Sequence, residues 1–256
     1  MDAAAKTVKD FPDHFSGIAA AYREFRPAYP AALIGWLAAQ APGRALAWEA
    51  GCGSGQFSVS LAVEFARVHA TDASAKQIAQ AGAHPRVEYA VAPAERSGLT
   101  DACADLVCAA QAAHWFDLPA FYAEARRVAR PGAVIALLCY EKCAIAPDLD
   151  PIVDNFYSRV AGPFWPPERV AVEDGYRALP FPFPMIPAPP FHLEERWNLS
   201  QFLGYVATWS ATQRLTAVRG LGPFDEFHRS LSAAWSEPES PRLIRWPLRI
   251  RAGRVR

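Results

Sequence analysis

The sequence predicts an α/β fold built on a parallel sheet with helices on both faces, and two observations carry that reading. Between roughly residue 33 and residue 140, short apolar runs alternate with Ala-rich, helix-compatible stretches. The first run leads into a turn with glycine at every second position: Gly51, Gly53 and Gly55. The runs are 45–50 (ALAWEA), 66–71 (ARVHAT), 86–92 (RVEYAVA), 104–110 (ADLVCAA) and 133–140 (AVIALLCY). Apolar strands separated by helical crossovers run parallel and need cover on both faces. Helices are read between the strands at 74–82 and 118–129, and before the first strand at 31–40. Arg130-Pro131-Gly132 is read as the close of the last helix and the start of the fifth strand.

The next segment changes character. From about 144 to 192, prolines (Pro163, Pro166, Pro167, Pro180, Pro182 and others) are interleaved with Phe156, Tyr157, Phe164, Trp165, Tyr176, Phe181 and Phe183. So many large aromatics need burial, which a disordered linker does not offer. The segment is therefore read as an ordered, irregular cap on the sheet. Beyond it lie a strand-like run at 191–198, helical material from 200 to about 235, and a final strand-like run at 243–251. The divisions expected are 1–143 (core with an N-terminal cover segment), 144–190 (cap insertion) and 191–256 (completion of the sheet), all within one domain overall.

Bulk composition excludes several classes of function. With 256 residues and 52% hydrophobic content, the chain buries a sizeable core. A formal net charge of zero gives no footprint for nucleic acid. The five cysteines include no C-x-x-C pair, so neither a zinc site nor a disulfide framework is indicated. No signal-peptide core and no span-length apolar run is visible, which makes a cytoplasmic protein the expectation.

In an open parallel sheet, ligands sit at the carboxyl ends of the strands near the topological switch point. The loop Glu49-Ala50-Gly51-Cys52-Gly53-Ser54-Gly55 is at that place. Its glycine spacing departs from the G-x-G-x-x-G of dinucleotide sites, and Glu49 beside it would repel a pyrophosphate. An acid there suits a ligand with a cationic end, such as a methionine amino group. Asp72, at the end of the second strand, is where an acid commonly accepts bonds from ribose hydroxyls. Ala92-Pro93-Ala94-Glu95, after the third strand, is placed to line an adenine edge. Together these features describe S-adenosylmethionine, against the plainer reading of a tight turn and a solvated cap.

These residues resemble the class I S-adenosylmethionine-dependent methyltransferases, and most closely their small-molecule branch of trans-aconitate methyltransferase-like proteins. The resemblance rests on Glu49 to Gln56, on Ala70-Thr71-Asp72-Ala73-Ser74, on Ala92 to Glu95 and on Ala109 to Phe116 (AAQAAHWF). Glu124 to Gly132 and Tyr22 to Pro30 (YREFRPAYP) add to it. It implies a Rossmann-like seven-stranded mixed sheet whose last strand is antiparallel, with 191–198 and 243–251 as the final pair. It also places Glu49, Ala50, Gly51, Gly53 and Gly55 on the methionine part, Asp72 and Ala73 on the ribose, Ala94 and Glu95 by the adenine, and Gln111 by the sugar or methionyl stem. Arg26 or Tyr22 would contact the cofactor carboxylate, and Tyr29, Trp115 and Trp209 would line the acceptor pocket. For Tyr29 the plainer reading is a segment fixed by its prolines, and for Trp209 it is ordinary core.

His114 is the best-placed candidate base, with Tyr22 a second catalytic candidate. A hydroxyl or thiol acceptor benefits from a base, whereas a carboxylate needs only positioning. His114 therefore reads either as a base or as a positioning group. The alternation Arg249-Ile250-Arg251 is read as the solvent face of a strand. The expected activity is methyl transfer to a carboxylate or hydroxyl of a small organic molecule, with S-adenosylhomocysteine as co-product, no metal and no membrane partner. Transfer to sulfur or nitrogen, or cofactor binding without turnover, are the alternatives. Oligomeric state is not legible.

Overall fold

The structure, a computed structural model, describes residues 25–255. Helix α1 (Ala31–Gln40) follows Pro30 and turns Leu33, Ile34, Leu37 and Ala38 inward, the i, i+3/i+4 spacing of one helix face. There follow β1 (Leu46–Ala50), α2 (Gln56–Leu61), β2 (Arg67–Asp72), α3 (Ala75–Ala79), β3 (Val87–Val91), β4 (Ala104–Ala110), α4 (Leu118–Val128) and β5 (Ala129–Tyr140). The five strands are parallel in the order β3-β2-β1-β4-β5. The chain winds outward from β1 to β3 and then crosses to β4 on the other side. The switch point is therefore the crevice between the carboxyl ends of β1 and β4.

Burial explains why these runs were legible. Every residue of β1 is buried, as is β4 up to its last residue, so both strands are covered on both faces. The edge strand β3 is half-buried and partly exposed along its length.

One boundary differs from the reading. Helix α4 stops at Val128, and Arg130-Pro131-Gly132 already belongs to β5, beside a register shift between Ala104 and Leu106. A bulge of this kind is where a strand tolerates proline.

The second half completes the sheet. The long strand β8 (Arg242–Arg254) lies antiparallel to β5, with Val134 opposite Arg254 and Tyr140 opposite Leu248. On its other edge it pairs with β7 (Phe191–Trp197). The mixed sheet with an antiparallel last strand is as expected. One strand was not foreseen: the two-residue β6 (Met185–Ile186), pairing with Gly253 and Ala252. Its two residues are too few to show a period.

Between β5 and β6 the chain forms α5 (Asp150–Asn155), a π turn (Phe156–Val160), a 3-10 turn (Gly162–Phe164) and α6 (Arg169–Glu173). Three helices, α7 (Leu199–Ala207), α8 (Ser210–Arg219) and α9 (Gly222–Trp235), separate β7 from β8. Phe156 stacks on Phe227 of α9 at 4.3 Å, which joins these two segments in one core. Arg251 departs from the solvent-face reading, whereas Arg249 keeps to it, pairing with Glu141 on the exposed surface. Arg251 donates to the carbonyls of Tyr176 (2.7 Å) and Leu179 and stacks over Phe181 at 5.0 Å. It straps the chain after α6 onto the sheet.

Asp105 in β4 is the one carboxylate within this apolar run, at 1% exposure. Its Oδ2 accepts from the amides of Ala45 (2.7 Å) and Leu46 (3.1 Å), and its Oδ1 pairs with Arg130 (3.2 Å). It thus fixes where β1 enters the sheet. Asp105→Ala leaves the two amides without their acceptor, so thermal unfolding is expected to show a loss of about 2–3 kcal/mol.

Candidate functional site

The carboxyl ends of β1 and β4 present the glycine loop and the Gln111–Trp115 segment to each other across the switch point. All three loop glycines have positive φ (68°, 55° and 85°). Two of them are also needed by protein neighbours. A Cβ on Gly51 would come within 2.5 Å of the Ala112 Cβ, and one on Gly55 within 2.6 Å of the Tyr89 ring. Gly53 has only Gln77 Oε1 near its would-be Cβ, at 3.8 Å, and is the open point of the cradle.

Glu49, the second-last residue of β1, is 1% exposed. Ser58 of α2 donates its hydroxyl to Oε2, and no cation pairs with the carboxyl among the described residues. Burial pushes its pKa up to about 8, and the nearby Asp72 charge adds to the rise. The carboxyl is therefore mostly protonated at neutral pH, and a cation arriving beside it would ionise it.

Asp72 ends β2 half-buried. Its Oδ2 accepts from Gly53 N and its Oδ1 from Ser74 N, both at 2.8 Å. It ties the glycine loop to the start of α3, and each oxygen keeps a further lone pair. Burial raises its pKa, against the pull of the two amides. Ala73 beside it is exposed.

Ala94 is 6% exposed and belongs to the buried cluster that includes Trp48, Leu118 and Phe121, while Glu95 accepts from the Asp117 amide at 2.9 Å. Together they join the loop after β3 to the loop after β4. Gln111, at φ 58°, donates from Nε2 to the Tyr140 carbonyl at 3.1 Å. Arg26 donates to the Tyr140 hydroxyl (2.9 Å) and the Thr208 carbonyl (3.3 Å), and lies 5.5 Å over the Tyr205 ring.

Tyr29 packs edge-on against Phe57 of α2 at 4.6 Å. Trp209 is 4% exposed, in a cluster with Tyr157, Trp165 and Tyr205 at 5.4–5.8 Å. Tyr22 lies outside the described residues.

His114 sits in a 3-10 turn (Ala113–Trp115) after β4, its ring 5.0 Å from that of Trp115. Nδ1 is hydrogen-bonded to the Tyr176 hydroxyl at 2.8 Å. Burial, reinforced by the positive charge of Arg169, lowers its pKa to about 3. The imidazole is neutral throughout the physiological range. Four of the five cysteines are buried, and burial raises the pKa of each of those four thiols, including Cys52 in the loop.

Sequence reasoning missed Tyr176, which it took only as one of the packing aromatics, and it missed Arg169 and Tyr140 altogether. No periodicity in the Pro-rich segment singles out the first two.

A family pattern described as a methyltransferase domain matches residues 48–137, which spans the glycine loop through most of β5. A Dictyostelium discoideum protein named only as a methyltransferase is 32% identical over 214 residues, 82% of this chain and 81% of its own length. The chain belongs to the class I S-adenosylmethionine-dependent methyltransferases. A solved methyltransferase structure from Anaeromyxobacter dehalogenans, whose name gives Type II and no acceptor, shares 54% identity at a TM-score of 0.86. It aligns over 90% of this methyltransferase and 98% of its own chain. The malonyl-[acyl-carrier protein] O-methyltransferase of Pectobacterium atrosepticum is 38% identical over 90 residues, 34% of this chain and 36% of its own length. No helix of this methyltransferase, among the described residues, is long and apolar enough to cross a membrane.

Proposed function

We propose that this methyltransferase transfers the methyl group of S-adenosylmethionine to an oxygen of a small organic molecule, and that the oxygen belongs to a carboxylate rather than a hydroxyl. The cofactor fits the residues present. Glu49 is a fully buried carboxyl with no cation partner among the described residues, beside a loop whose middle glycine is open. An ammonium group supplies the missing charge. In this reading Ala50, Gly51, Gly53 and Gly55 run along the methionine part, and Asp72 and Ala73 hold the ribose through the lone pairs left on the carboxylate. Ala94 and Glu95 border the adenine, with Gln111 beside the stem. Arg26, already engaged by Tyr140, Thr208 and Tyr205, would share its guanidinium with the cofactor carboxylate.

The observation that favours a carboxylate is the state of His114. Bound S-adenosylmethionine supplies an electrophilic methyl group on a sulfonium, open to in-line displacement. A hydroxyl nucleophile must lose a proton, and an imidazole with a pKa near 3 is a poor base for it. A carboxylate arrives ionised. Its requirements are alignment and exclusion of water, and a neutral imidazole fixed by Tyr176 can orient it through a ring N–H. The aromatic cluster of Tyr157, Trp165 and Trp209 offers the apolar wall that a small acceptor needs. A zero net charge agrees with a small acceptor rather than a nucleic acid, and five cysteines without a disulfide agree with a cytoplasmic setting. The trans-aconitate methyltransferase-like branch, with the segment 144–190 as its acceptor cap, is consistent with these features.

The test is transfer of labelled methyl from S-adenosylmethionine to a panel of carboxylic acids, hydroxy acids, phenols, thiols and amines. The expected product is a base-labile methyl ester. A base-stable product as the main outcome, or no transfer to any acid, would contradict the carboxylate reading.

A further inference from the structure

Arg169 is the first residue of α6 and half-buried, and its positive charge contributes to the lowered pKa of His114. Its Nε donates to the Tyr157 hydroxyl at 3.1 Å, and its guanidinium lies 4.8 Å over Trp165 and 5.8 Å over Tyr157. Its field reaches His114, Tyr176 and Cys139, and its own electrostatic partners are the phenol oxygens of Tyr157, Tyr205 and Tyr140.

Those neighbours come from the 3-10 turn after β4, from β5, from α7 and from the segment around α6, so Arg169 is where these elements converge. Yet among the described residues no carboxylate pairs with it, and its two Nη groups make no hydrogen bond. Glu173, on the same helix, is engaged instead by the Tyr157 hydroxyl, which donates to its Oε1 at 2.9 Å. A planar guanidinium with Nε tied back and both Nη groups free is set for the two oxygens of a carboxylate. The stacked rings hold it in one orientation.

We infer that Arg169 is a specificity-determining residue whose Nη groups take a carboxylate of the methyl acceptor, seated against the Trp165–Tyr157 face. The inference rests on the methyltransferase reading above. It goes beyond that reading in assigning the anchor to α6, outside the sheet that carries the cofactor loop. Acceptor choice is thereby separated from cofactor binding.

The test titrates the S-adenosylhomocysteine complex with benzoate, cinnamate, hexanoate and succinate, and with the methyl ester of each, by calorimetry. Tryptophan emission is followed in parallel, because Trp165 stacks on the guanidinium. Wild type is expected to bind at least one acid about 10-fold or more tighter than its ester. Arg169→Met should lose about 100-fold in affinity for that acid while keeping ester binding, and Arg169→Lys should recover part of the loss. S-adenosylhomocysteine affinity should be the same in all three proteins, which also reports that the variants are folded.

Undiminished acid affinity in Arg169→Met would overturn the inference. So would a wild type with no acid-over-ester preference anywhere in the panel. If wild type binds no S-adenosylhomocysteine, the same titrations are run on the free chain. An acid preference that still depends on Arg169 would then leave this inference standing and sink only the cofactor assignment.

Discussion

Glu49→Gln is expected to weaken S-adenosylhomocysteine binding by about 100-fold while leaving the fold intact or more stable. A glutamine keeps the shape and the Ser58 hydroxyl partner but cannot supply the charge that an ammonium group needs. Removing one member of a buried charge pair costs on the order of 2–5 kcal/mol of binding. Stability moves the other way. The folded-state pKa of Glu49, about 8, lies above its unfolded value of 4.5. Its protonated form is therefore comfortable in the fold below pH 4.5, and the wild type loses stability as pH rises towards 8 and through it. The amide escapes this loss, so the variant's advantage in thermal unfolding should widen between pH 5 and pH 8. Equal affinity in the two proteins would show that Glu49 does not face the cofactor. A variant that is less stable at pH 8 would show that the carboxyl is not held protonated.

Gly55→Ala is the second change with a large expected effect. Gly55 caps α2 in the left-handed region, at φ 85° and ψ 18°. An alanine there carries about 1–2 kcal/mol of backbone strain. Its Cβ would also run into the hydroxyl and ring of Tyr89 in β3, with ring carbons at 2.6–2.7 Å. Overpacking of that kind costs a further 1–3 kcal/mol, roughly, or displaces the loop. The expected result is a drop in denaturation midpoint together with loss of measurable S-adenosylhomocysteine binding. Tyr89→Ala in the same chain should restore part of the stability by removing the overlap, while the φ strain remains. If Gly55→Ala binds S-adenosylhomocysteine like wild type, the loop conformation is not what the cofactor requires.

How much of this was legible in the sequence depended on whether a feature was local. The strands of the parallel sheet appear within a few residues of where their apolar runs placed them, and β1 and β4, buried on both faces, leave an unbroken hydrophobic signature. The glycine loop and Asp72 carry their meaning in spacing alone, and the Gly53–Asp72 hydrogen bond joins them directly. The runs at 191–198 and 243–251 were visible as strands and form β7 and β8, but the antiparallel place of β8 beside β5 came only from the family resemblance.

Legibility ended where geometry is long-range. His114 was picked out, but not its bond to Tyr176, 62 residues away. Arg251 read as a solvent-facing alternation, whereas it straps the carbonyls after α6 to the sheet. Arg169 sits in a Pro-rich stretch without a period, so nothing local marks it as the cation that reaches His114.

The most direct test of the central claim is calorimetric titration of the wild-type chain with S-adenosylhomocysteine at pH 7, repeated in two buffers of different ionisation enthalpy. The expected result is one-to-one binding with release of a substantial fraction of a proton, as Glu49 gives up its proton beside the ligand's ammonium group. Absence of binding would contradict the assignment of the glycine loop as the cofactor site.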